Sequence, residues 1–220
     1  MTEYDEEPVP GLPEALPPGE TILWQGAPDW RVLARDAFHW RKVAIYFGVL
    51  MLWRVAEGLS ARSSAADIEA DAAGLLPFAL AAIGLLLGLA RVSANSTLYT
   101  VTNRRVVMRI GVAISMSINI PFTRIETVAV QPLRDARGNV ALALTGQGER
   151  IAYLHLWPHA RPWRVGRPQP LLRGIADAVA VAETLSRAIS ASAPALASQA
   201  VAGRSPVADS RESAPLASAA

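Results

Sequence analysis

The chain has 220 residues, of which 51% are hydrophobic and 18% are charged, and it contains no cysteine. The lack of cysteine excludes disulfides, thiolate metal sites and cysteine nucleophiles. The net charge of +2 is too small to indicate nucleic-acid binding, and the hydrophobic fraction lies between that of a soluble domain and that of a chain embedded mostly in a membrane. This balance predicts two membrane spans joined to a water-facing domain.

The N-terminal segment combines acidic residues with prolines. Residues 1–19 carry too little apolar surface to offset the entropy of ordering, so we predict that they are disordered. Within residues 20–30, the run from Thr21 to Gln25 has the composition of a β-strand. The backbone groups of an isolated strand need hydrogen-bond partners, so we expect this run to pair with a sheet formed later in the chain.

The first apolar stretch begins with a segment typical of a membrane interface. Residues 31–42 combine Trp40 with several basic residues and predict an interfacial helix. Residues 43–59 form the first predicted transmembrane helix, which Arg54 and Glu57 interrupt near its end. Because these two residues are three positions apart, we expect an ion pair between them; a contact from Arg54 to an acidic group of a partner is the alternative.

The second apolar stretch, residues 72–90, contains no charge. At about 1.5 Å per residue a helix of this length extends roughly 28 Å, close to the hydrocarbon thickness of a bilayer. A helix buried in a soluble core is the alternative, but a chain of this size cannot surround such a helix on every side. We therefore interpret residues 72–90 as the second transmembrane helix.

The distribution of basic residues predicts the orientation of this hairpin. The polar loop 60–71 carries one basic residue, Arg62, whereas eight flank the opposite ends of the two spans. Because basic residues concentrate on the cytoplasmic side of membranes, we predict that both termini are cytoplasmic and that the loop is external. The eight residues are Arg31, Arg35, Arg41, Lys42, Arg91, Arg104, Arg105 and Arg109.

Two glycines in the second span, Gly84 and Gly88, form a GxxxG pair that allows a neighbouring helix to approach closely. Packing against the first span, where Gly48 lies, and association with a second copy or a partner helix would both use this pair. The sequence leaves both interpretations open.

Residues 95–190 begin with two runs rich in β-forming residues, and the strand-like runs that follow alternate apolar and polar side chains, which predicts an antiparallel β domain. A turn at residues 102–104 separates the first two strands, because Asn103 tolerates the left-handed backbone of a tight turn. We expect a small barrel or bent sheet closed by a C-terminal helix, followed by a disordered tail over residues 191–220. The later strands are predicted at 112–121, 124–131, 139–146, 150–158 and 170–175, and the helix, capped by Asp177, at 178–189.

No set of residues in the sequence predicts catalysis. His155 and His159 are four positions apart, but Pro158 lies between them and disfavours a regular helix that would present both to a metal. His39 is interpreted as an interfacial histidine, with ligation of a magnesium ion as the alternative. We therefore expect a protein that is not an enzyme, with no catalytic residue, cofactor or metal.

The most unusual polar stretch is residues 157–170, which contains four prolines, two tryptophans and three arginines but no acid. Proline keeps such a segment extended at low entropic cost, and Trp and Arg are the residues that dominate binding at interfaces. Packing of the loop on its own domain, and binding of its arginines to anionic lipid, are the alternatives. The predicted partner-binding residues are Trp157, Arg161, Trp163, Arg164 and Arg167.

Several motifs carry a resemblance to known families. The strand LWQG ahead of the spans, followed by YTVTNRRVVMRIG and IPFTRIETV, resembles the bacterial pleckstrin-homology-like membrane domain over roughly residues 19–190. The runs GLPEALPPGETILWQGAPDW and LWPHARPWRVGRPQPLLR resemble the photosynthetic-complex assembly proteins of purple bacteria.

The resemblance implies an α+β membrane protein, in which a two-helix transmembrane hairpin carries a cytoplasmic PH-like antiparallel β domain with a C-terminal helix. It implies a non-enzymatic assembly factor for the photosynthetic reaction centre, located in the bacterial inner (intracytoplasmic) membrane. The expected partners are reaction-centre subunits and membrane lipid, with a homodimer possible. The alternative function is a PH-like surface domain that binds anionic lipid or regulates membrane proteins.

Overall fold

The computed structural model describes residues 12, 14–111, 115–146 and 151–202. In these residues a helical segment is inserted between the first two strands of a β domain. The elements in chain order are β1 (Ile22–Gly26), α1 (Trp30–Asp36), α2 (Trp40–Ser60), α3 (Ala65–Ala73), α4 (Leu76–Asn95), β2 (Leu98–Thr102), β3 (Arg105–Ile110), β4 (Met116–Pro121), a 3₁₀ turn (Phe122–Arg124), β5 (Ile125–Pro132), β6 (Arg137–Leu144), α5 (Tyr153–Leu156), β7 (Leu171–Ala176) and α6 (Ala178–Ala202).

Strand β1 pairs with the sheet that follows the helical segment, which confirms the prediction for Thr21 to Gln25. It runs antiparallel to β2, with Trp24 opposite Val101 and Gly26 opposite Tyr99. The sheet continues in the order β1–β2–β3–β4, and the predicted turn at residues 102–104 joins β2 to β3. The two ends of the helical segment are therefore held side by side.

A second antiparallel sheet, in the order β5–β6–β7, packs with the first around a shared core. Tyr99 and Met108 enter this core from the first sheet, Leu142 and Leu172 enter from the second, and Leu185 enters from α6. All five side chains are fully buried. The predicted antiparallel β domain with a packed C-terminal helix is thus present, with its strands divided between two sheets.

The predicted strand over residues 150–158 is wrong, because this segment contains the short helix α5 and then the chain turns at Trp157. Strand β6 lies between β5 and β7, so both of its edges are already hydrogen-bonded. An additional strand at this point of the sequence has no free edge of β6 to join.

The predicted tail begins too early. Helix α6 continues to Ala202, beyond the end predicted at residue 189, because this segment is rich in alanine, the strongest helix former. Residues 203–220 of the predicted tail lie outside the described residues, as do residues 1–11 and 13 of the predicted N-terminal disorder. Leu12, which the prediction included in the disordered segment, is buried. Residues 112–114 of the predicted strand 112–121 also lie outside the described part.

The helical segment differs in detail from its prediction. The interfacial helix predicted at residues 31–42 is divided into α1 and the start of α2, because His39 between them adopts a left-handed backbone with φ of 54°. The loop predicted at 60–71 contains most of α3. The expected ion pair is present, with 3.1 Å between Arg54 Nη1 and Glu57 Oε2. In the described residues, two stretches are long and apolar enough to cross a membrane. One is α2 (Trp40–Ser60), and the other is Ala65–Asn95, which contains α3 and α4.

Helix α1 joins the helical segment to the β domain. Its Leu33 and Ala34 pack with Ala90 and Ala94 of α4 in a small apolar cluster. On the opposite side α1 contacts β7. The β domain is therefore fixed against the end of α4 by packing as well as by the chain itself.

The contact between α1 and β7 depends on a glycine. Gly174 has φ of +59°, and a Cβ built on it would lie 2.8 Å from Cβ of Val32. A side chain at this position would therefore clash with α1 and strain the backbone. The amide of Gly174 is satisfied by the side-chain oxygen of Asn139 at 2.8 Å.

Candidate functional site

The segment predicted to bind a partner forms a projecting loop, residues 157–170, between α5 and β7. Its two sides are joined by a β-bridge between Ala160 and Pro170. Arg161 donates its amide to the carbonyl of Gln169 at 2.9 Å and its guanidinium to Oε1 of Gln169 at 3.0 Å. These bonds give the 157–170 loop a defined base.

The tip of the 157–170 loop exposes most of the predicted binding residues. Trp163 is 95% exposed and has a left-handed backbone with φ of 64°. Arg161, Arg164 and Arg167 are also exposed. Trp157 differs from them, because its ring is about half buried and packs edge-on against Phe38, with 5.3 Å between the ring centroids.

The base of the 157–170 loop is held by a fully buried histidine. Nδ1 of His159 lies 2.6 Å from the hydroxyl of Tyr99, and Nε2 lies 3.1 Å from Oγ1 of Thr97. The hydroxyl of Thr97 donates to the carbonyl of Ser93 at 2.7 Å, and the hydroxyl of Tyr99 accepts the amide of Arg173 at 3.3 Å. The chain of bonds thus connects β7, β2 and the loop to the end of α4.

The direction of every hydrogen in this network can be assigned. Thr97 has one hydroxyl hydrogen, which it donates to Ser93, so its oxygen must accept from Nε2–H of His159. Nδ1 of His159 then has no hydrogen and accepts from the hydroxyl of Tyr99. His159 is therefore a neutral imidazole with both ring nitrogens satisfied.

The complete burial of His159 and Tyr99 agrees with this assignment of the hydrogens. It lowers the pKa of His159 to about 3, and the charge of Arg173 acts in the same direction. Burial also raises the pKa of Tyr99, so this phenol keeps its hydrogen. A neutral histidine with two occupied nitrogens stabilises the loop and has no free position for a metal or for proton transfer.

Arg173 completes the base of the loop. Its Nε donates to the carbonyl of Pro158 and its Nη2 to the carbonyl of Ala160, each at 3.0 Å. Only 5% of this residue is exposed, and burial lowers its pKa. The guanidinium therefore holds the backbone of the loop at its base, and its charge is buried within the β domain.

The remaining predicted residues lie apart from the loop. A Cβ added to Gly84 or Gly88 would meet no atom within 4 Å, and the same holds for Gly48. The structure thus does not bring this pair onto α2, and a role in packing with a second chain stays a prediction. His155 is exposed and Nδ1 of His39 lies 3.3 Å from the carbonyl of Arg35, while the described residues contain no group of three or more potential metal ligands.

Sequence reasoning missed His159 and Arg173 as the residues that shape the loop. The partners of His159 are about sixty positions away in the sequence, so no local pattern could indicate them. Arg173 did carry a signal, because an arginine between Leu172 and Gly174 in a predicted apolar strand indicates a buried and hydrogen-bonded charge.

A curated relative and a solved structure resemble this chain. A protein of Rhodobacter capsulatus, described as an uncharacterized 23.7 kDa protein in the puhA 5′ region, is 41% identical over 192 residues, which cover 86% of this chain and 88% of the relative. A DUF1696 family protein with a pleckstrin-homology domain from Shewanella loihica PV-4 is 16% identical, with a TM-score of 0.27, over 41% of this chain and 69% of that chain.

The two antiparallel sheets and the C-terminal helix define a PH-like domain that carries a helical insertion. The family model described as Bacterial PH domain matches residues 43–189. The chain belongs to the bacterial PH domain family.

Proposed function

We propose that this protein is a membrane-bound assembly factor for the photosynthetic reaction centre, of the PuhB type, and that it acts by binding rather than by catalysis. The observation that carries the proposal is the position of Trp163, which is 95% exposed at the tip of a loop whose base is held by buried hydrogen bonds. A large aromatic side chain on a pre-organised loop suits a binding hot spot, because little entropy is lost on association.

The helical segment supports an arrangement with two membrane spans. Strands β1 and β2 pair with each other and flank the helical segment. The chain therefore leaves the β domain and returns to it on the same side of the membrane. The excess of basic residues on that side supports a cytoplasmic β domain and cytoplasmic termini in the inner (intracytoplasmic) membrane.

The partner we propose is a subunit of the reaction centre. The Rhodobacter capsulatus relative is described by its position in the puhA 5′ region, which supports a role connected with photosynthesis. In this proposal Trp157 and Trp163 supply apolar contacts, while Arg161, Arg164 and Arg167 meet acidic groups of the partner. The exposed Gly84 and Gly88 would allow α4 to pack with a second copy.

The test compares Trp163→Ala and Arg164→Ala in a photosynthetic host, with Arg187→Ala on the exposed side of α6 as the matched control. Loss of a hot spot costs about 2 kcal/mol or more, which is roughly thirtyfold in affinity. We expect less reaction centre and less co-purified reaction-centre subunit in the two loop variants, with the level of this protein unchanged. Normal reaction-centre levels in both loop variants would refute docking through the loop.

A further inference from the structure

The 157–170 loop carries positive charge that no carboxylate among the described residues neutralises. Arg161, Arg164 and Arg167 are exposed, and the loop contains no acidic residue. The ion pairs among the described residues involve other arginines, and Arg161 is bonded to the neutral side chain of Gln169. The loop is therefore a cationic surface without a counter-charge in the described part of the chain.

A cleft of about 660 Å³ lies beside the 157–170 loop. Arg161 and Pro162 form one wall, and the end of α1 and the face of β5 and β6 form the others. Asp36 supplies the one carboxylate in its lining, and Arg35 holds both oxygens of that carboxylate, at 2.7 and 3.1 Å. The cleft therefore gives an extended peptide room next to the basic loop.

The chain itself contains an acidic segment whose charge matches this surface. Residues 1–11 carry four acids and no basic side chain; the acids are Glu3, Asp5, Glu6 and Glu7. The next residue, Leu12, is only 1% exposed and is thus fixed in the folded protein. At roughly 3.4 Å per residue, the four acids stay within about 30 Å of Leu12. Such a short tether keeps their effective concentration beside the domain in about the millimolar range.

The contacts of the described residues show that the segment is long enough to reach the loop. The carbonyl of Gly19 accepts a 2.9 Å hydrogen bond from Nδ2 of Asn103. Tyr99 lies about 13 Å back along β2, and its hydroxyl contacts Arg173, whose guanidinium is bonded to the base of the loop. The path is therefore about 13 Å plus the lengths of two side chains, whereas the twelve residues from Gly19 to Glu7 extend up to about 40 Å.

We propose that the acidic residues 1–11 dock along the 157–170 loop, with their carboxylates paired to its three arginines and part of their backbone in the adjoining cleft. Arginine suits this role because its planar guanidinium holds a carboxylate through two parallel hydrogen bonds. Pro8 and Pro10 restrict the backbone of the segment and so reduce the entropy lost on docking. The contact stands on charge and reach, and its consequence rests on the proposed function: a reaction-centre subunit that binds the same arginines must displace the segment.

The first test measures the distance between the segment and the loop in the full-length protein in neutral detergent. Because the chain has no cysteine, Thr2→Cys and Gly166→Cys place two spin labels at defined positions, and a Cβ at Gly166 meets no atom within 4 Å. Double electron–electron resonance should show a short-distance population at low salt. This population should shrink at about 1 M salt, where the Debye length falls to about 3 Å.

Two sets of substitutions in the labelled protein locate the contact. The loop variant is Arg161→Gln/Arg164→Gln/Arg167→Gln. The control variant, which removes three exposed charges outside the loop, is Arg104→Gln/Arg134→Gln/Arg187→Gln. We expect the ratio of docked to undocked segment to fall about eightfold in the loop variant, at roughly twofold for each lost pair, and to stay near its original value in the control.

Trypsin provides a second test that needs no label. Trypsin cuts after arginine but not before proline, and Arg161 and Arg167 each precede a proline, so Arg164–Val165 is the cleavable bond in the 157–170 loop. A docked segment shields this bond. Neutralising the segment should therefore speed cleavage after Arg164 and leave cleavage after the exposed Arg62 unchanged. The neutral variant is Glu3→Gln/Asp5→Asn/Glu6→Gln/Glu7→Gln.

Three results would each overturn the proposal. They are a distance distribution that salt and the loop substitutions leave unchanged, an equal loss of the short distance in the loop and control variants, and equal cleavage after Arg164 with and without the four carboxylates. Both measurements use the protein without any partner. Their failure therefore refutes this contact alone, and the docking of a reaction-centre subunit is decided by the reaction-centre levels of the loop variants.

Discussion

The hydroxyl of Tyr99 donates a 2.6 Å hydrogen bond to Nδ1 of His159, and both side chains are completely buried. Tyr99 lies on β2, directly after the helical segment, whereas His159 lies at the base of the 157–170 loop. The bond therefore links the position of the loop to the strand that connects α4 with the β domain. The loop, β2 and the end of α4 are thus joined through neutral groups whose hydrogen bonds are satisfied.

The first prediction concerns pH. Folded His159 stays neutral down to about pH 3, whereas the unfolded chain protonates it below about pH 6.5. The unfolded state then binds more protons between these values, so the free energy of unfolding falls by up to about 1.4 kcal/mol per pH unit as the pH drops below 6.5. Thermal unfolding in detergent from pH 7.5 to pH 5 should show this loss, and His159→Gln should flatten it. His155→Gln, at an exposed position, is the control and should keep the wild-type slope.

The second prediction concerns the hydroxyl of Tyr99. Tyr99→Phe leaves Nδ1 of His159 as a buried acceptor without a partner, which costs about 1–3 kcal/mol of stability. Denaturant unfolding measures this difference, and Tyr46→Phe on the exposed side of α2 is the control. If the two substitutions have the same small effect, the hydrogen assignment in this network is wrong.

The third prediction concerns the contact between α1 and β7. Gly174→Ala places a methyl group against Val32 and forces a left-handed alanine, so we expect a loss of about 1–3 kcal/mol in the free energy of unfolding. Gly166→Ala is the matched control, because a Cβ there meets open space. Proteolysis rates in detergent provide a second measurement, since α1 should be cut faster in Gly174→Ala. Equal stability of the two variants would contradict the close contact.

The fourth prediction concerns topology. A reporter that is active only in the periplasm should give no signal when fused at residue 220 and a strong signal when inserted within residues 60–71. The physical reason is the excess of basic residues on the side of the β domain. A cytoplasmic reporter at the same two sites is the control and should give the opposite pattern. The reverse pattern would rule out a cytoplasmic β domain.

The sequence predicted the parts of the fold that depend on local patterns. Runs rich in β-forming residues located β2 and β3, alternation located β5, and Asn103 located the turn between β2 and β3, because all of these signals come from neighbouring residues. The strand predicted at 150–158 failed because its alternation could not reveal that β6 had partners on both edges. Edge occupancy is a property of the whole sheet and has no local signal.

The sequence predicted the residues at the tip of the 157–170 loop but not the hydrogen-bonded base that holds it. The exposed tip with Trp163 follows from a proline-rich run that cannot form regular structure. The base could not be predicted, because Thr97 and Tyr99 meet His159 only after both sheets and α4 have come together.

The pairing of β1 with β2 has a consequence for biosynthesis. Residues 27–97, which are 71 residues, separate the two strands. At a translation rate of about 5–20 residues per second, the ribosome needs roughly 4–14 s to make this interval. During that time β1 lacks the strand with which it pairs, and in the proposed two-span arrangement β2 can reach β1 only if the helices return to the side of the membrane that they left. In that arrangement a chain whose helices end on opposite sides of the membrane cannot complete the first sheet, and β1 and β2 would each keep an unpaired edge open to proteases.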